Sequence, residues 1–218
     1  MFSNLATSLD GKIAPTDRKM FAIGSAKDLR LLRTLRDGAD AIIYGAEVLR
    51  TFQKPCLPQD KEHRLVNAVL SHRLDGIDPD WPFFKSKKID RLLFVTGRVP
   101  TTRRKIFEKV ADVISIESKQ VARGILAELR ARGLSRVGVE GGGQLMWEFA
   151  RENLIEEYYV TLVPRIIGGR DAPTLVDGEG FSAERTLNLR LKRTRKVGSE
   201  LFLVYEPVGR GRRHPLFN

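Results

Sequence analysis

The fold is indicated most clearly by one segment, Val137-Gly138-Val139-Glu140-Gly141-Gly142-Gly143-Gln144-Leu145. A short apolar run is followed there by three glycines and then by a helical pattern. A strand that passes through glycines into a helix leaves backbone N–H groups unpaired, with the positive end of the helix dipole behind them. Glycine also lets a pyrophosphate approach the backbone closely. The turn therefore predicts an anion site at the carboxyl end of a strand, where open α/β sheets bind ligands. The spacing G-x-G-x-x-G is absent, so the turn taken alone also fits a plain strand-to-helix connection.

The segments on either side of this turn alternate between strand and helix patterns. Ser25 can cap a helix in which Asp28 completes a capping box and which ends at Gly38. A second helix is predicted from Val121, Ile125 and Leu129, which are spaced four residues apart, and Gly133 lies beyond its end. Residues 44–52 fit the end of a strand followed by a loop. Apolar runs predict strands at 2–7, 41–44, 64–70, 91–96, 113–116, 136–139, 158–163, 187–193 and 201–205. This order predicts an α/β fold whose mainly parallel central sheet is flanked by helices and finished by an antiparallel C-terminal hairpin.

Length and composition fit one α/β domain over 1–208 followed by a basic, disordered tail over 209–218. No apolar run approaches bilayer length, and the N-terminus lacks the pattern of a secretory signal, so we expect a cytoplasmic protein without a membrane segment. Cys56 is the single cysteine and cannot form an internal disulfide. No cysteine or histidine cluster has metal-ligand spacing, so no metal site is expected.

The net charge of +11 is concentrated near the C-terminus, since eight Lys or Arg and two Glu follow residue 185 and give +6 there. Within this region, residues 190–195 alternate apolar and basic side chains, which is typical of a strand with one solvated face. Aromatic residues do not interleave with the basic ones as a nucleic-acid stacking surface requires. A phosphorylated small molecule is therefore a better expected partner than nucleic acid.

Several segments, in the same order along nearly the whole chain, resemble the RibD C-terminal domain family. They are residues 4–14, 23–25, 35–36, 39–46, 139–145, 154–157 and 164–169. This family is the reductase part of the riboflavin-biosynthesis deaminase-reductase and has a dihydrofolate reductase-like fold. The resemblance implies an NADPH-dependent homodimer that reduces the ribosylamino group of 5-amino-6-(5-phosphoribosylamino)uracil, or of its 2,5-diaminopyrimidine variant, to ribitylamino. The zinc motif of the deaminase part is absent from this chain.

The resemblance also implies roles for individual residues. Glu140 is the expected catalytic group, acting either in proton transfer or in ligand contact. The expected substrate-binding residues are Asn4, Asp10, Ser25 and Arg36. The expected cofactor-binding residues are Ala6, Gly45, Ala46, Ser71, His72, Arg73, Gly141, Gly142, Gly143, Gln144 and Leu145. Two of these residues could instead have a purely structural role. Asp10 can make an Asx turn, and Arg36 can be a favourable cation at a helix C-terminus.

The chain departs from the family in the segment after Tyr44. Val48 stands where the family has a cofactor-contacting threonine, and Phe52-Gln53-Lys54 stands where it has aspartates. Because polar sites discriminate strongly among ligands, these changes bear on the substrate more than on the reductase class. Two alternatives follow: an NADPH-dependent reductase of another heterocycle, such as a pteridine or imine, and a catalytically silent binding protein on the same fold.

Overall fold

The computed structural model describes residues 1–19 and 21–208, so the tail predicted at 209–218 lies outside the described residues. The strands are β1 Phe2–Thr7, β2 Ala41–Gly45, β3 Leu65–Ser71, β4 Ile89–Val95, β5 Asp112–Ser115, β6 Val137–Val139, β7 Glu157–Leu162, β8 Leu189–Val197 and β9 Glu200–Pro207. The helices are α1 Ala26–Asp37, α2 Ala46–Phe52, α3 Pro82–Lys85, α4 Thr101–Phe107, α5 Val121–Ala131 and α6 Gly143–Ala150, with a 3₁₀ turn at Ala183–Arg185. Among the described residues, no helix is both long and apolar enough to cross a bilayer.

All nine strands belong to one sheet, in the order β5-β4-β3-β2-β6-β1-β7-β9-β8. Strands β1 to β7 pair in parallel, whereas β9 pairs antiparallel with both β7 and β8. The α/β fold with an antiparallel C-terminal hairpin, predicted from the sequence, is confirmed. Parallel pairing brings the carboxyl ends of β1, β2, β3 and β6 to one edge of the sheet, where the predicted anion site lies.

Helices cover both faces of the sheet and bury two apolar clusters. In β2, Ile42 and Tyr44 pack into one cluster with Leu35 of α1, whereas Ala41 and Ile43 pack into the other. Both faces of β2 are therefore buried, as expected for a central parallel strand. The side chains of β1 also alternate between the two faces of the sheet. Its even-numbered residues lie on the face of Phe2, and its odd-numbered residues lie on the face of Leu5.

Three helices, α2, α3 and α4, were not predicted from the sequence. Helix α2 occupies part of the segment expected to be a loop, and α4 lies between β4 and β5. Leu49 anchors α2 because its side chain is almost completely buried, which stabilises a short helix by about 1.5–3 kcal/mol. Gln53 ends α2 in a left-handed conformation with φ 55°. The seven residues of α2 are too few for a clear helical period.

The predicted cap of α1 is only half correct. Ser25 caps the helix through its hydroxyl, which accepts a hydrogen bond from the Lys27 amide at 3.2 Å. The expected capping box does not form, because the Ser25 amide donates to Glu200 Oε1 at 2.9 Å. Asp28 is instead half-buried, and this burial raises the pKa of its carboxyl group. A carboxylate from β9 thus replaces the one expected from within the helix.

Candidate functional site

The carboxyl edge of the sheet brings two strand-to-helix turns together. The Gly45 amide, where β2 passes into α2, donates to the Gly141 carbonyl at 3.1 Å. The Glu140 amide donates to the Ile43 carbonyl at 2.9 Å and continues the pairing of β6 with β2. The predicted cofactor residues Gly45, Ala46 and Gly141 are therefore neighbours in space, although more than ninety residues separate them in the chain.

The three glycines of the β6–α6 turn have different environments. Gly141 and Gly142 have φ values of 123° and 73°, which favour glycine. A Cβ on Gly142 would meet no atom within 4 Å, whereas one on Gly143 would lie 2.1 Å from Asp177 Oδ2 and 2.7 Å from the Thr174 carbonyl. Helix α6 begins without a side-chain cap. Gly142 therefore offers open backbone to a ligand, and Gly143 is required by packing.

Glu140 forms a bidentate ion pair with Arg36 of α1. Arg36 Nε lies 2.8 Å from Glu140 Oε1, and Arg36 Nη2 lies 2.6 Å from Oε2. The side chains are only 11% and 5% exposed, and Arg36 Nη1 also donates to the Leu57 carbonyl at 3.0 Å. The fork geometry matches carboxylate with guanidinium, so Arg36 fixes the orientation of Glu140.

Neutral polar groups surround this ion pair. Tyr44 donates its hydroxyl to Asn67 Oδ1 at 3.2 Å, and Asn67 Oδ1 also accepts the Cys56 amide at 2.7 Å. Burial raises the pKa of the Cys56 thiol to about 12 and raises that of Tyr44 well above its ordinary value. Both groups therefore stay protonated at neutral pH, and Glu140 is the acid that pairs with Arg36.

Asn4 and Ala6 of β1 share the face of the sheet on which Phe2 packs against the Tyr44 cluster. Ser3 pairs with Val139, so the register places Asn4 beside Glu140. Asn4 is 5% exposed, and its Oδ1 has no hydrogen-bond partner among the described residues. A buried acceptor without a partner costs about 1–3 kcal/mol, which makes Asn4 available to a ligand or water at this edge.

Asp10 and Ser25, both predicted to bind substrate, have structural partners here. Asp10 accepts hydrogen bonds from the Ser8 hydroxyl and from the Ile167 and Gly168 amides at 2.6, 3.0 and 2.6 Å. The Ser8 bond, with those of Ile167 and Gly168, lowers the Asp10 pKa to about 2. Ser25 donates to Glu200 Oε2 at 2.6 Å. Asp10 thus holds the loop after β1 against the loop after β7, and Ser25 ties α1 to β9.

The predicted phosphate-binding loop after β3 contains one buried residue, Ser71, and two exposed residues, His72 and Arg73. Ser71 is buried, and its Oγ accepts the Leu74 amide at 3.0 Å, so it shapes the turn rather than facing a ligand. His72 lies within 3.2 Å of Thr96 Oγ1 and packs against Gly97, where a Cβ would lie 2.5 Å from the imidazole. Arg73 is exposed at the same edge of the sheet. The cationic part of the loop is therefore the part that can reach a ligand.

The last two predicted cofactor residues lie in the first turn of α6. Leu145 is buried in the second apolar cluster, so only its backbone can meet a cofactor. Gln144 is exposed beside it. Sequence reasoning missed the pairing of Arg36 with Glu140, for which no local signal exists because 104 residues separate them.

The chain is similar along most of its length to proteins of one family. The sequence profile described as the RibD C-terminal domain matches residues 1–203. A 2,5-diamino-6-ribosylamino-4(3H)-pyrimidinone 5′-phosphate reductase from Archaeoglobus fulgidus is 31% identical, with 91% of this chain and 93% of the relative covered. The protein of the same name from Methanothermobacter thermautotrophicus is also 31% identical, with 94% and 97% covered.

Solved structures share the fold at lower identity. A pyrimidine reductase-like protein from Corynebacterium diphtheriae superimposes with a TM-score of 0.81 at 21% identity, covering 95% of this chain and 91% of that protein. The deaminase/reductase from Thermotoga maritima superimposes with a TM-score of 0.75 at 17% identity, covering 95% of this chain and 56% of that larger protein. These superpositions show that the three chains share the fold.

Proposed function

This chain belongs to the RibD C-terminal domain family, and we propose that it is an NADPH-dependent reductase acting on 2,5-diamino-6-ribosylamino-4(3H)-pyrimidinone 5′-phosphate. The reaction converts the ribosylamino group to ribitylamino. The observation that carries the proposal is the Arg36–Glu140 pair beside the open glycine turn, within a chain that matches full-length relatives bearing this reductase name.

The residues present fit a dinucleotide cofactor. Gly142 leaves space that a side chain would fill, and the uncapped start of α6 supplies backbone donors for a pyrophosphate. The adjacent backbone of Gly45 and Ala46 forms the neighbouring wall. Arg73, at the end of β3, supplies a cation for a 2′-phosphate, which favours NADPH over NADH. When bound, the dihydronicotinamide supplies a hydride to the electrophilic carbon of the substrate.

Glu140 acts on the opened form of the substrate, in which C1′ and the exocyclic nitrogen form an imine. Its carboxylate, held by Arg36, retains lone pairs on both oxygens and stabilises the protonated imine nitrogen. As the C1′–H bond forms, the C=N π electrons return to nitrogen and neutralise its charge, leaving an amine. We assign Glu140 an electrostatic role because its carboxylate is held by Arg36 in a bidentate pair. Of the two roles expected of Glu140 from the sequence, proton transfer and ligand contact, we therefore propose ligand contact.

Asn4 orients the substrate next to this carboxylate. Its unpartnered Oδ1 can accept a hydrogen bond from a substrate hydroxyl or amine on the same face of the sheet as Glu140. Val48 is partly buried against the core beside Gly141. It therefore contributes an apolar contact where the family uses a hydroxyl. Asp10 and Ser25 already form hydrogen bonds with other groups of the protein. Asn4 is therefore the residue of the sheet to which we assign substrate binding.

We also propose that the enzyme acts in the cytoplasm as a homodimer, as the family resemblance implies. Sedimentation velocity of the purified chain tests the dimer independently of activity, since a single species of 24.6 kDa would contradict it.

Complementation tests the reaction directly. In a riboflavin auxotroph that lacks only this reductase, expression of the chain should restore growth, and Arg36→Met with Glu140→Gln should not. Growth supported equally by both proteins would contradict the proposed site, and no growth with the wild-type chain, when it is expressed and folded, would contradict the proposed substrate.

A further inference from the structure

A cavity of about 1070 Å³ lies between α6, the segment 170–181 and the C-terminal half of the sheet. Ser3 and Leu5 of β1 line it, and these residues alternate with Asn4 and Ala6. The cavity therefore opens on the face of the sheet opposite Asn4 and its neighbour Glu140. It therefore lies on the other side of the sheet from Asn4 and Glu140, with Gln144 of the cofactor turn at its border.

Aromatic side chains form one wall. The rings of Trp147 and Phe181 meet at 4.7 Å between centroids, edge to face. Gly178 packs directly against the Trp147 indole, since a Cβ added at Gly178 would lie 2.5 Å from the ring. Leu189 and Leu203 line the floor on the sheet. A planar apolar ring can be buried between such a wall and such a floor at ordinary packing distances.

Tyr158 provides a hydrogen-bond donor inside this cavity. The residue lines the cavity and is 6% exposed, and its hydroxyl has no hydrogen-bond partner among the described residues. Burial raises its pKa to about 12, so the hydroxyl keeps its proton. A buried tyrosine hydroxyl normally finds a partner, and its absence leaves a donor for an acceptor on a bound molecule.

Charged residues stand around the cavity. Arg18 and Arg170 line it, and neither is within salt-bridge distance of an acid among residues 1–19 and 21–208. Asp171 and Asp177 line it as well, but Asp177 is occupied by the Thr174 amide and hydroxyl at 3.1 and 2.6 Å. The lining thus carries two cations and two acids. Because the two arginines have no acid partner among the described residues, their guanidinium groups can meet the acidic group of a bound molecule.

We propose that this cavity is a second binding site, for a small aromatic anion. The ring lies against Trp147 and Phe181, an acceptor atom meets the Tyr158 hydroxyl, and the acidic group faces Arg170 and Arg18. Of the residues expected at the reductase site, Gln144 alone lines the cavity. The ligand contacts proposed here do not use Gln144, so the inference does not depend on the proposed reaction.

Titration with 8-anilinonaphthalene-1-sulfonate tests the site, because this probe is an aromatic sulfonate whose emission rises on burial. Energy transfer from Trp147 locates the probe, using a Trp81→Phe variant in which Trp147 is the single tryptophan. We expect saturable binding of one probe per chain. Tyr158→Phe should weaken binding about fivefold, because it removes only the hydroxyl. Arg170→Ala should weaken it about tenfold and reduce its dependence on salt.

Val160→Trp fills the cavity from β7 and should abolish binding. Tyr159→Phe is the matched control, since the Tyr159 hydroxyl already bonds Glu157 Oε2 at 2.9 Å. Each variant is compared at equal folded fraction by near-ultraviolet circular dichroism. Equal probe affinity in wild type, Tyr158→Phe and Arg170→Ala would overturn the proposal. So would a wild-type dimer that excludes the probe and dissociates in Val160→Trp, because a second copy of the chain would then occupy the cavity.

Discussion

The carboxylate of Glu140 and the guanidinium of Arg36 form a buried bidentate ion pair between the start of the glycine turn and the last turn of α1. The pair connects the helix that covers one sheet face to the edge at which we propose that ligands bind. Its geometry fixes the orientation of Glu140 and gives Arg36 a partner within the protein. The family resemblance assigned Arg36 to a substrate phosphate, whereas its observed partners make it the residue that positions Glu140.

Removing one member of this pair should be costly. Arg36→Met leaves the Glu140 carboxylate buried without its partner, and we expect a loss of about 3–5 kcal/mol in the free energy of unfolding. The double variant Arg36→Met with Glu140→Leu should recover much of that loss, because no charge remains buried. Urea unfolding of the four proteins in this cycle measures the coupling. Additive effects of the two single substitutions would show that the side chains do not interact.

Cofactor preference depends on the loop after β3. We expect NADPH to bind more tightly than NADH, and Arg73→Ala to weaken NADPH about tenfold, or about 1.4 kcal/mol, while leaving NADH unchanged. Fluorescence titration with both cofactors measures this. Ser71→Ala serves as the contrast, since it should lower stability through the Leu74 amide with no preference between cofactors. Equal affinities of the wild type for NADPH and NADH would contradict the assignment of Arg73.

The glycine turn offers a matched pair of substitutions. Gly142→Val puts a branched side chain into open space, and we expect a folded protein that binds NADPH at least tenfold more weakly. Gly143→Ala meets Asp177 and the Thr174 carbonyl instead, so its main effect should be a stability loss of about 1–3 kcal/mol. Thermal unfolding and cofactor titration separate the two effects. Wild-type NADPH affinity in folded Gly142→Val would mean that the cofactor does not approach this turn.

Asp10 should titrate far below an ordinary aspartate. Its folded pKa is about 2 against a reference value of 3.8, so its stabilising bonds are complete above the reference value and are lost as pH falls toward the folded value. The amide NMR shifts of Ile167 and Gly168 should follow this titration with a midpoint near 2. Asp10→Asn should abolish the titration. A midpoint near the reference value would show that the carboxylate does not accept these amides.

The sequence predicted most of the sheet because buried parallel strands appear as apolar runs. The strands 2–7, 41–44 and 158–163 were placed within one residue at each end. Helix α2 was missed because it begins directly at the end of β2 and is short. The sequence could not indicate that Glu200 would satisfy the Ser25 amide from 175 residues away. Contacts at such separations depend on the packing of the whole domain and have no local pattern.

The same limit applies to the candidate site. Glycines 141–143 were found because their position between strand and helix is a local signal. The different roles of Gly142 and Gly143 follow from the Thr174–Asp177 segment, which the sequence does not place next to them. The structural roles of Asp10 and Ser71 likewise depend on backbone amides that only the fold brings within reach.

We propose that Glu140 accelerates the reduction of the ribosylaminopyrimidinone phosphate by NADPH. Single-turnover rapid mixing of enzyme, saturating NADPH and this substrate tests it most directly. We predict that the wild type oxidises one NADPH per ribityl product formed, and that Glu140→Gln slows this step at least a hundredfold while NADPH affinity changes less than threefold. A wild-type enzyme that leaves NADPH unoxidised, or a Glu140→Gln variant that turns over at the wild-type rate, would contradict the account.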